Sequence, residues 1–269
     1  MDAAIEVSGL TAYYGSREVL KGLTFGIPRL MTTVVVGGSG CGKTTLLKHL
    51  IGLLKPAKGT INVKCGCTSD KCGKDITMMD DAALIEFKKK MGVLFQGAAL
   101  LNSLSLADNV ALPLREHTQL KQPIIDIIVR MKLDLVGLTG FGDYYPAQLS
   151  GGMKKRAGIA RAMAMDPELL FFDEPSAGLD PVTAAGLDEL IISLHKTFKL
   201  TLVVVTHELA SIFTIADYVI MLDAGNIIFI GTIEELKASP NPKVLAFLQR
   251  KAEEEPYRPE DYFKIISGS

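Results

Sequence analysis

The first residues that could do chemistry form a glycine-rich run between an apolar stretch, residues 33–36, and a helical pattern. Glycines let backbone N–H groups turn toward an anion, and the dipole of a following helix attracts negative charge. In this setting, we expect Lys43 to reach the β- and γ-phosphates of a nucleotide and the Thr44 hydroxyl to ligate Mg²⁺. The expected phosphate-binding residues are Gly37, Gly38, Ser39, Gly40, Cys41, Gly42, Lys43, Thr44 and Thr45. A glycine-rich turn with a chance lysine is the alternative.

Two carboxylates follow another apolar stretch. Residues 169–172 have the pattern of a buried strand, and Asp173 and Glu174 come directly after them. We expect Asp173 to hold Mg²⁺ through water, and Glu174 to orient or deprotonate the attacking water. Taken alone, an acidic pair at a strand end can simply be solvated. A further apolar stretch, residues 202–205, leads to His207, which is interpreted as a γ-phosphate sensor, although a histidine after a strand is often structural.

A second candidate anion site begins a different helix. Ser150, Gly151 and Gly152 precede a helical pattern at residues 154–162. A serine hydroxyl and free N–H groups at a helix start can bind an anion. One chain rarely needs two anion sites for one nucleotide, so we expect a head-to-tail dimer in which this loop caps the γ-phosphate held by the partner's glycine-rich loop. An ordinary helix N-cap is the alternative.

Taken in order, these motifs resemble those of the ATP-binding cassette (ABC) ATPases, over about residues 5–236. The resemblance implies an α/β P-loop NTPase fold, in which a RecA-like core carries an antiparallel β-subdomain and a helical signature subdomain. It also implies ATP and Mg²⁺ as cofactors and a second copy of the chain as partner. By motif match, Tyr14 would stack on adenine, Gln96 would contact Mg²⁺ and the lytic water, and Asp180 would communicate across the dimer. A tyrosine packed in a β-strand core is the alternative for Tyr14.

One residue departs from the signature sequence of that family, which usually has glutamine where this chain has Met153. A thioether is a poor hydrogen-bond acceptor and no donor. The contact that glutamine makes is therefore lost or supplied by another group. Because Ser150 and the glycines that face the phosphate remain, we expect activity.

Two further segments point to a narrower group. Residues 95–103 (FQGAALLNS) and 108–118 (DNVALPLREHT), with Met153 and the pair Asp261-Tyr262, resemble the ATPases of the Mla-type (MCE-linked) phospholipid transport systems of Gram-negative bacteria. This resemblance implies an integral-membrane permease, an MCE-domain lipid-binding protein and, in some systems, a small STAS-domain subunit as partners. The alternatives are the ATPase of another ABC importer or exporter, a soluble ABC ATPase of DNA repair or translation, and an inactive regulatory cassette. The intact Lys43, Glu174 and His207 disfavour the last.

Charge and hydropathy limit the function classes. The chain has 29 basic and 30 acidic residues, a net charge of −1, which gives no reason to expect a nucleic-acid partner. No run approaches the ~18 consecutive apolar residues of a membrane span, and the first residues lack the basic region of a signal peptide. We therefore expect the protein to stay in the cytoplasm, and the resemblance above implies a peripheral position on the cytoplasmic side of the inner membrane.

The motif positions predict how the chain is divided. A length of 269 residues fits one nucleotide-binding domain with a subdomain. We expect an ATPase domain at residues 1–239, with antiparallel strands at 1–31 and 57–76, a helix at 81–90, a strand at 93–96 and a helical subdomain at about 98–162. Residues 240–269, with a helix at 243–255, are expected to form a tail that docks on a partner chain. A frayed terminus is the alternative.

The four cysteines do not indicate an exported disulfide scaffold. Cys41 belongs to the glycine-rich run, where a small side chain suffices. Cys65, Cys67 and Cys72 fall in a turn-rich insertion, and three thiols fall short of a closed four-ligand zinc shell. Reduced thiols are expected there, with a metal or redox site as the alternative.

Overall fold

A computed structural model describes residues 2–64 and 74–249 of the chain. The described strands are β1 (Ala3–Tyr14), β2 (Arg17–Pro28), β3 (Thr32–Gly37), β4 (Lys58–Val63), β5 (Lys74–Asp75), β6 (Met91–Leu94), β7 (Leu169–Asp173), β8 (Thr201–Val205), β9 (Tyr218–Asp223) and β10 (Asn226–Thr232). The described helices are α1 (Lys43–Leu50), α2 (Asp81–Lys88), α3 (Leu106–His117), α4 (Gln122–Leu135), α5 (Gly151–Ala162), α6 (Pro181–Phe198), α7 (Leu209–Ile215), α8 (Ile233–Lys237) and α9 (Pro242–Leu248). Cys65, Cys67, Cys72 and the predicted tail beyond residue 249 lie outside the described residues.

A six-stranded sheet lies at the centre of the described chain, in the order β10-β9-β3-β8-β7-β6. The strands from β9 to β6 run parallel, and β10 is antiparallel to β9. β3, β7 and β8 are buried along their whole length, as strands covered on both faces must be. Successive side chains alternate between the faces, so Phe172 packs with the helices while Phe171 packs toward the second sheet. Apolar runs in the sequence therefore become the strands that carry the site.

The second sheet is antiparallel and has the described order β2-β1-β4-β5. Leu20 and Ile61 from this sheet share one apolar core with Leu46 and Leu50 of α1. That shared core fixes α1, and the glycine-rich loop before it, between the two sheets. The predicted α/β fold with an antiparallel β-subdomain is confirmed.

Helices α3, α4 and α5 pack together beside the main sheet. Their buried residues recur at every fourth position, as on one face of a helix: Leu106, Val110 and Leu114 in α3, and Ile125, Val129 and Leu133 in α4. These faces join the core that covers the helical side of the main sheet. The three helices lie within residues 98–162, the range predicted for a helical subdomain.

Strand β6 lies earlier than predicted, at Met91–Leu94 rather than at residues 93–96. Its ladder with β7 begins at Met91 and ends at Leu94. Gly92 lies within the strand, and a glycine is needed there because α5 comes so close that a Cβ would lie 2.4 Å from the carbonyl oxygen of Ala162. Gln96 therefore follows the strand instead of ending it.

The last described helix packs on the chain's own core. Val244 of α9 is fully buried, and Phe247 and Leu248 pack against the helical-side core. The helix ends at Leu248 rather than at residue 255. The docking role predicted for the tail consequently concerns the residues beyond 249. Among the helices that the structure describes, none combines the length and the apolar character needed to span a membrane.

Candidate active site

The loops that carry the predicted catalytic residues lie side by side at one edge of the main sheet. Strands β3, β8, β7 and β6 are neighbours and run parallel, so their carboxyl ends meet at the same edge. A cavity of about 360 Å³ opens at this edge. It is lined by Val19, Ser39, Gly40, Gly42, Lys43, Thr44, Thr45, Gln96, Glu174 and His207. All of these except Val19 were predicted as site residues.

The loop after β3 has the shape of an anion cradle. Gly37 has a φ of +146°, and a Cβ there would lie 2.2 Å from the carbonyl oxygen of Leu222, so only glycine fits. Gly42 begins α1 without a side-chain cap, which leaves the first N–H groups of the helix available. The Lys43 ammonium donates to the carbonyl oxygens of Gly37 at 2.8 Å and Gly38 at 2.9 Å. These bonds hold the ammonium over the loop, where phosphate oxygens would be additional acceptors.

Cys41 contributes its backbone to this loop rather than its thiol. The side chain is buried beneath the loop, and burial raises the pKa of the thiol. A buried thiol with a raised pKa carries little thiolate and is a poor nucleophile. Cys41 therefore packs, as the small side chain predicted for this position.

An oxygen set suited to Mg²⁺ lies between the loop and β7. The Thr44 hydroxyl donates to Oδ1 of Asp173 at 3.3 Å. Burial raises the pKa of the Asp173 carboxyl, the hydrogen bond from Thr44 opposes that shift, and nearby Glu174 reinforces it. A buried carboxylate of this kind is stabilised by a neighbouring cation. Hydroxyl, carboxylate and amide oxygens are ligands that Mg²⁺ accepts, so Thr44, Asp173 and Gln96 fit that ion.

Glu174 and His207 are joined by a hydrogen bond. Nδ1 of His207 lies 2.9 Å from Oε1 of Glu174, and Nδ1 is the donor because an ionised carboxylate only accepts. Glu174 has a φ of +49°, a left-handed conformation that costs a non-glycine residue about 1–3 kcal/mol and is common at functional sites. Its Oε2 is buried and has no hydrogen-bond partner among the described residues. One oxygen is thus fixed by the histidine, and the other is an acceptor without a partner among the described residues.

The loop after β6 carries Gln96 and is attached to α5 by two cations that the sequence did not single out. Lys155 is 5% exposed, and its Nζ donates to the carbonyl oxygens of Gln96 and Glu174, the latter at 2.9 Å. Arg161 donates to the carbonyl oxygens of Ala98 at 2.9 Å and Ala99 at 2.7 Å. One signal was available in the sequence for Lys155, which shares a helix stripe with Gly158, Ile159 and Ala162, where small and apolar residues indicate burial.

The signature residues Ser150, Gly151 and Gly152, and the loop residue Asp180, lie apart from this cavity. Ser150 caps α5 by accepting a hydrogen bond from the N–H of Met153 at 3.2 Å. Gly152 packs against α6, where a Cβ would lie 2.5 Å from Cγ2 of Thr183. Asp180 caps α6, and the bonds from Thr183 lower the pKa of its carboxyl. Ser150, Gly151, Gly152 and Asp180 all lie in the described chain and do not line the cavity.

Tyr14 ends β1 and is 85% exposed. A tyrosine packed in a core would be buried, so that alternative is excluded by the structure. Tyr14 is not among the cavity-lining residues, and its stacking on adenine stays a prediction.

Comparison with known proteins finds ATP-binding proteins of transport systems. The ABC transporter family matches residues 20–177 of this chain. The chain is 40% identical over 265 residues to the intermembrane phospholipid transport system ATP-binding protein MlaF of Haemophilus influenzae, a match that covers 97% of each protein. It is 42% identical over 248 residues to the probable ribonucleotide transport ATP-binding protein mkl of Mycobacterium leprae, covering 92% of this chain and 69% of that protein.

A solved structure with the same fold is a dimeric ATP-binding cassette in a post-hydrolysis state bound to ADP and Pi. The TM-score is 0.76 at 26% identity, and the match covers 85% of this chain and 98% of that one.

Proposed function

Because this chain belongs to the family of ABC transporter ATPases, we propose that two copies of it power phospholipid transport by a membrane complex. Hydrolysis of ATP is the activity of the family. The observation that carries the lipid assignment is the end-to-end similarity to MlaF, at 40% identity over 97% of both proteins.

In the proposed site, each part of the nucleotide has its own group of residues. The glycine-rich loop and Lys43 bind the phosphates, and the exposed ring of Tyr14 stacks on adenine. Thr44, Asp173 and Gln96 would hold Mg²⁺, which when bound neutralises charge on the phosphates.

The chemical step is assigned to Glu174 and His207. Glu174, held by the hydrogen bond from His207, orients the attacking water through its second oxygen and accepts its proton. His207 also lies close enough to the cavity to sense the γ-phosphate. The left-handed backbone at Glu174 supports this role, because such strain persists where the fold requires one geometry.

A second copy completes the site. Ser150, Gly151 and Gly152 lie outside the cavity of their own chain, so we assign them to the γ-phosphate held by the partner's loop. Asp180 caps α6, the helix against which Gly152 packs, and we assign to it communication with the partner chain. The dimeric cassette with a similar fold supports this arrangement.

The two named relatives suggest different cargoes, phospholipid and ribonucleotide. The match to MlaF covers 97% of both proteins, whereas the match to mkl leaves about a third of that protein uncovered. Similarity along the whole chain is the better guide to the cargo, because contacts with cargo and partner proteins depend on segments outside the ATPase domain that all these proteins share. The alternatives of DNA repair and translation are not favoured by either relative.

The proposed partners are an integral-membrane permease, an MCE-domain lipid-binding protein and a small STAS-domain subunit, with this chain peripheral on the cytoplasmic side of the inner membrane. Helix α4 has an exposed apolar stripe, formed by Ile124, Ile127 and Met131, whose side chains are 46–63% exposed. This stripe supports at least one protein contact on the helical subdomain. The balanced net charge of −1 supports a partner other than nucleic acid.

The lipid assignment is tested with the intact complex, purified through a tag on this chain from the membranes of its own host. We expect permease and MCE-domain protein to copurify, phospholipid to be extracted from the complex, and vesicles of the same phospholipids to stimulate ATP hydrolysis. Stimulation by ribonucleotides and not by phospholipid vesicles would instead support a ribonucleotide transporter.

The signature methionine gives a prediction of tolerance. Met153 packs on the helical-side core, and its contact with Ser150 uses the main-chain N–H. Met153→Gln keeps that bond and nearly the same volume, so we expect ATP turnover within about twofold of wild type, a change of ~0.4 kcal/mol in the barrier. Steady-state ATP turnover and the melting temperature are measured together. A large loss of turnover without loss of stability would show that the signature here requires the thioether.

The tail gives a prediction about assembly. Truncation after residue 249 keeps the packing of Val244 and removes a segment that contains Tyr257, Tyr262, Phe263, Ile265 and Ile266. Such apolar residues favour burial at an interface. We therefore expect the truncated complex to be weaker and to dissociate at a higher protein concentration, while the catalytic groups stay in place. The control is truncation after residue 263, which keeps three of these side chains. Unchanged complex stability and unchanged transport after the longer truncation would support the frayed-terminus interpretation.

A further inference from the structure

Lys155 is a buried cation that the proposed cycle does not use. It is 5% exposed, and burial lowers the pKa of its ammonium, while the nearby carboxylates of Glu174 and Asp173 favour the charged form. Burying a lysine is costly unless its donors are satisfied. Its Nζ donates to two main-chain carbonyl oxygens, those of Gln96 and Glu174. In the proposed site, Gln96 is assigned to Mg²⁺ and Glu174 to the attacking water.

These two carbonyls come from different loops. Gln96 follows β6 and Glu174 follows β7, and the two strands are neighbours in the main sheet. A single ammonium therefore joins two adjacent loops at the edge where the cavity lies. Neither bond involves the side chain of Gln96 or Glu174, so both side chains remain directed to the cavity that they line.

The helix that carries Lys155 also carries the signature. Ser150 caps the helix five residues before Lys155, which is about 7.5 Å along the axis at a rise of ~1.5 Å per residue. Farther along, Arg161 holds the carbonyl oxygens of Ala98 and Ala99. Both alanines have positive φ, a conformation that persists only when surrounding contacts impose it. Helix α5 thus fixes the loop after β6 at two points.

We propose that Lys155 is a positioning residue for ATP hydrolysis. It acts through the main-chain carbonyls of Gln96 and Glu174, and it holds both residues at a fixed position relative to Ser150 at the start of α5. The inference rests on the roles proposed for Gln96 and Glu174. It follows that docking of Ser150 on the partner's nucleotide shifts α5. Through Lys155, this shift moves Gln96 and Glu174 of the chain that carries Ser150. Loss of the two hydrogen bonds from Lys155 should therefore impair ATP turnover more than nucleotide binding.

The test compares Lys155→Met with wild type in the full-length protein. Methionine keeps most of the volume and removes the donors. We expect kcat for ATP hydrolysis to fall by ~10–100-fold, the effect of a small misplacement of reacting groups, with KM and the affinity for ATP nearly unchanged. Lys155→Arg keeps the charge and the donors and is expected to restore most of the rate.

The control is Lys132→Met, because Lys132 is another buried lysine of the helical subdomain whose ion pair, with Asp166, lies away from the cavity. It should lower the melting temperature and leave kcat unchanged. If Lys155→Met does not fold, Lys155→Ser takes its place, since a small polar side chain leaves room for water to bond both carbonyls, and the same loss of kcat is expected.

The inference is overturned if folded Lys155→Met or Lys155→Ser hydrolyses ATP at the wild-type rate, or if Lys155→Arg fails to restore a lost rate. Glu174→Gln is measured beside these variants. If Glu174→Gln is inactive and Lys155→Met is fully active, the positioning role fails while the assignment of Glu174 stands. If Glu174→Gln retains full turnover, the assignment of Glu174 fails first.

Discussion

The Glu174→Gln protein should bind ATP normally and hydrolyse it ~10²–10⁴ times more slowly than wild type, the usual effect of losing a general base. Glutamine keeps the shape of the side chain but cannot accept the proton of the attacking water. With hydrolysis blocked, ATP should hold two copies together, so gel filtration in ATP should show a dimer. The structure gives the reason: one oxygen of Glu174 is held by His207 and the other has no hydrogen-bond partner among the described residues.

The matched control for this variant is Glu189→Gln, which makes the same chemical change at an exposed position of α6. Its turnover and its elution volume should equal those of wild type. Wild-type turnover by Glu174→Gln would exclude Glu174 as the residue that activates water, and it would leave the strained backbone at this position without a catalytic reason.

The Lys43→Ala protein should lose both nucleotide affinity and activity. The Lys43 ammonium is held over the loop by the carbonyls of Gly37 and Gly38. Removing it deletes the main protein charge on the phosphates. Because a hydrogen bond to a charged group contributes about 1.5–3 kcal/mol, we expect the Kd for ATP to rise by about tenfold to a hundredfold. The affinity is measured with a fluorescent ATP analogue, and hydrolysis is measured in the same preparation.

Lys55→Ala is the control for this second prediction, since Lys55 is an exposed lysine that follows α1 and is not among the residues lining the cavity. It should bind and hydrolyse ATP as wild type does. An unchanged ATP affinity in Lys43→Ala would contradict the assignment of the glycine-rich loop to the phosphates.

Much of the site can be predicted because it depends on local patterns. The apolar runs that become β3, β7 and β8 are buried on both faces, and buried runs of this length read as parallel strands. Once these strands are parallel neighbours, the residues after them must meet at one edge. That is why Lys43, Glu174 and His207 could be grouped before their positions in space were known.

The parts that could not be predicted depend on contacts between residues far apart in the chain. Lys155 lies 59 positions from Gln96, the residue whose carbonyl it holds, and no local pattern specifies that pairing. Gly92 interrupts an apolar pattern, yet it lies within β6 because α5 passes close to it. The burial of Val244 likewise depends on a core built by distant helices.

The decisive measurement for the proposed function is ATP-dependent phospholipid transfer by the whole complex. The complex that copurifies with the full-length chain is placed in vesicles that carry a fluorescent phospholipid, and transfer of that lipid is followed with and without ATP. We predict that ATP drives transfer by the wild-type complex and that the complex with Glu174→Gln gives no more transfer than the sample without ATP. Equal transfer by the two complexes, or transfer that does not depend on ATP, would contradict the claim that this chain powers phospholipid transport.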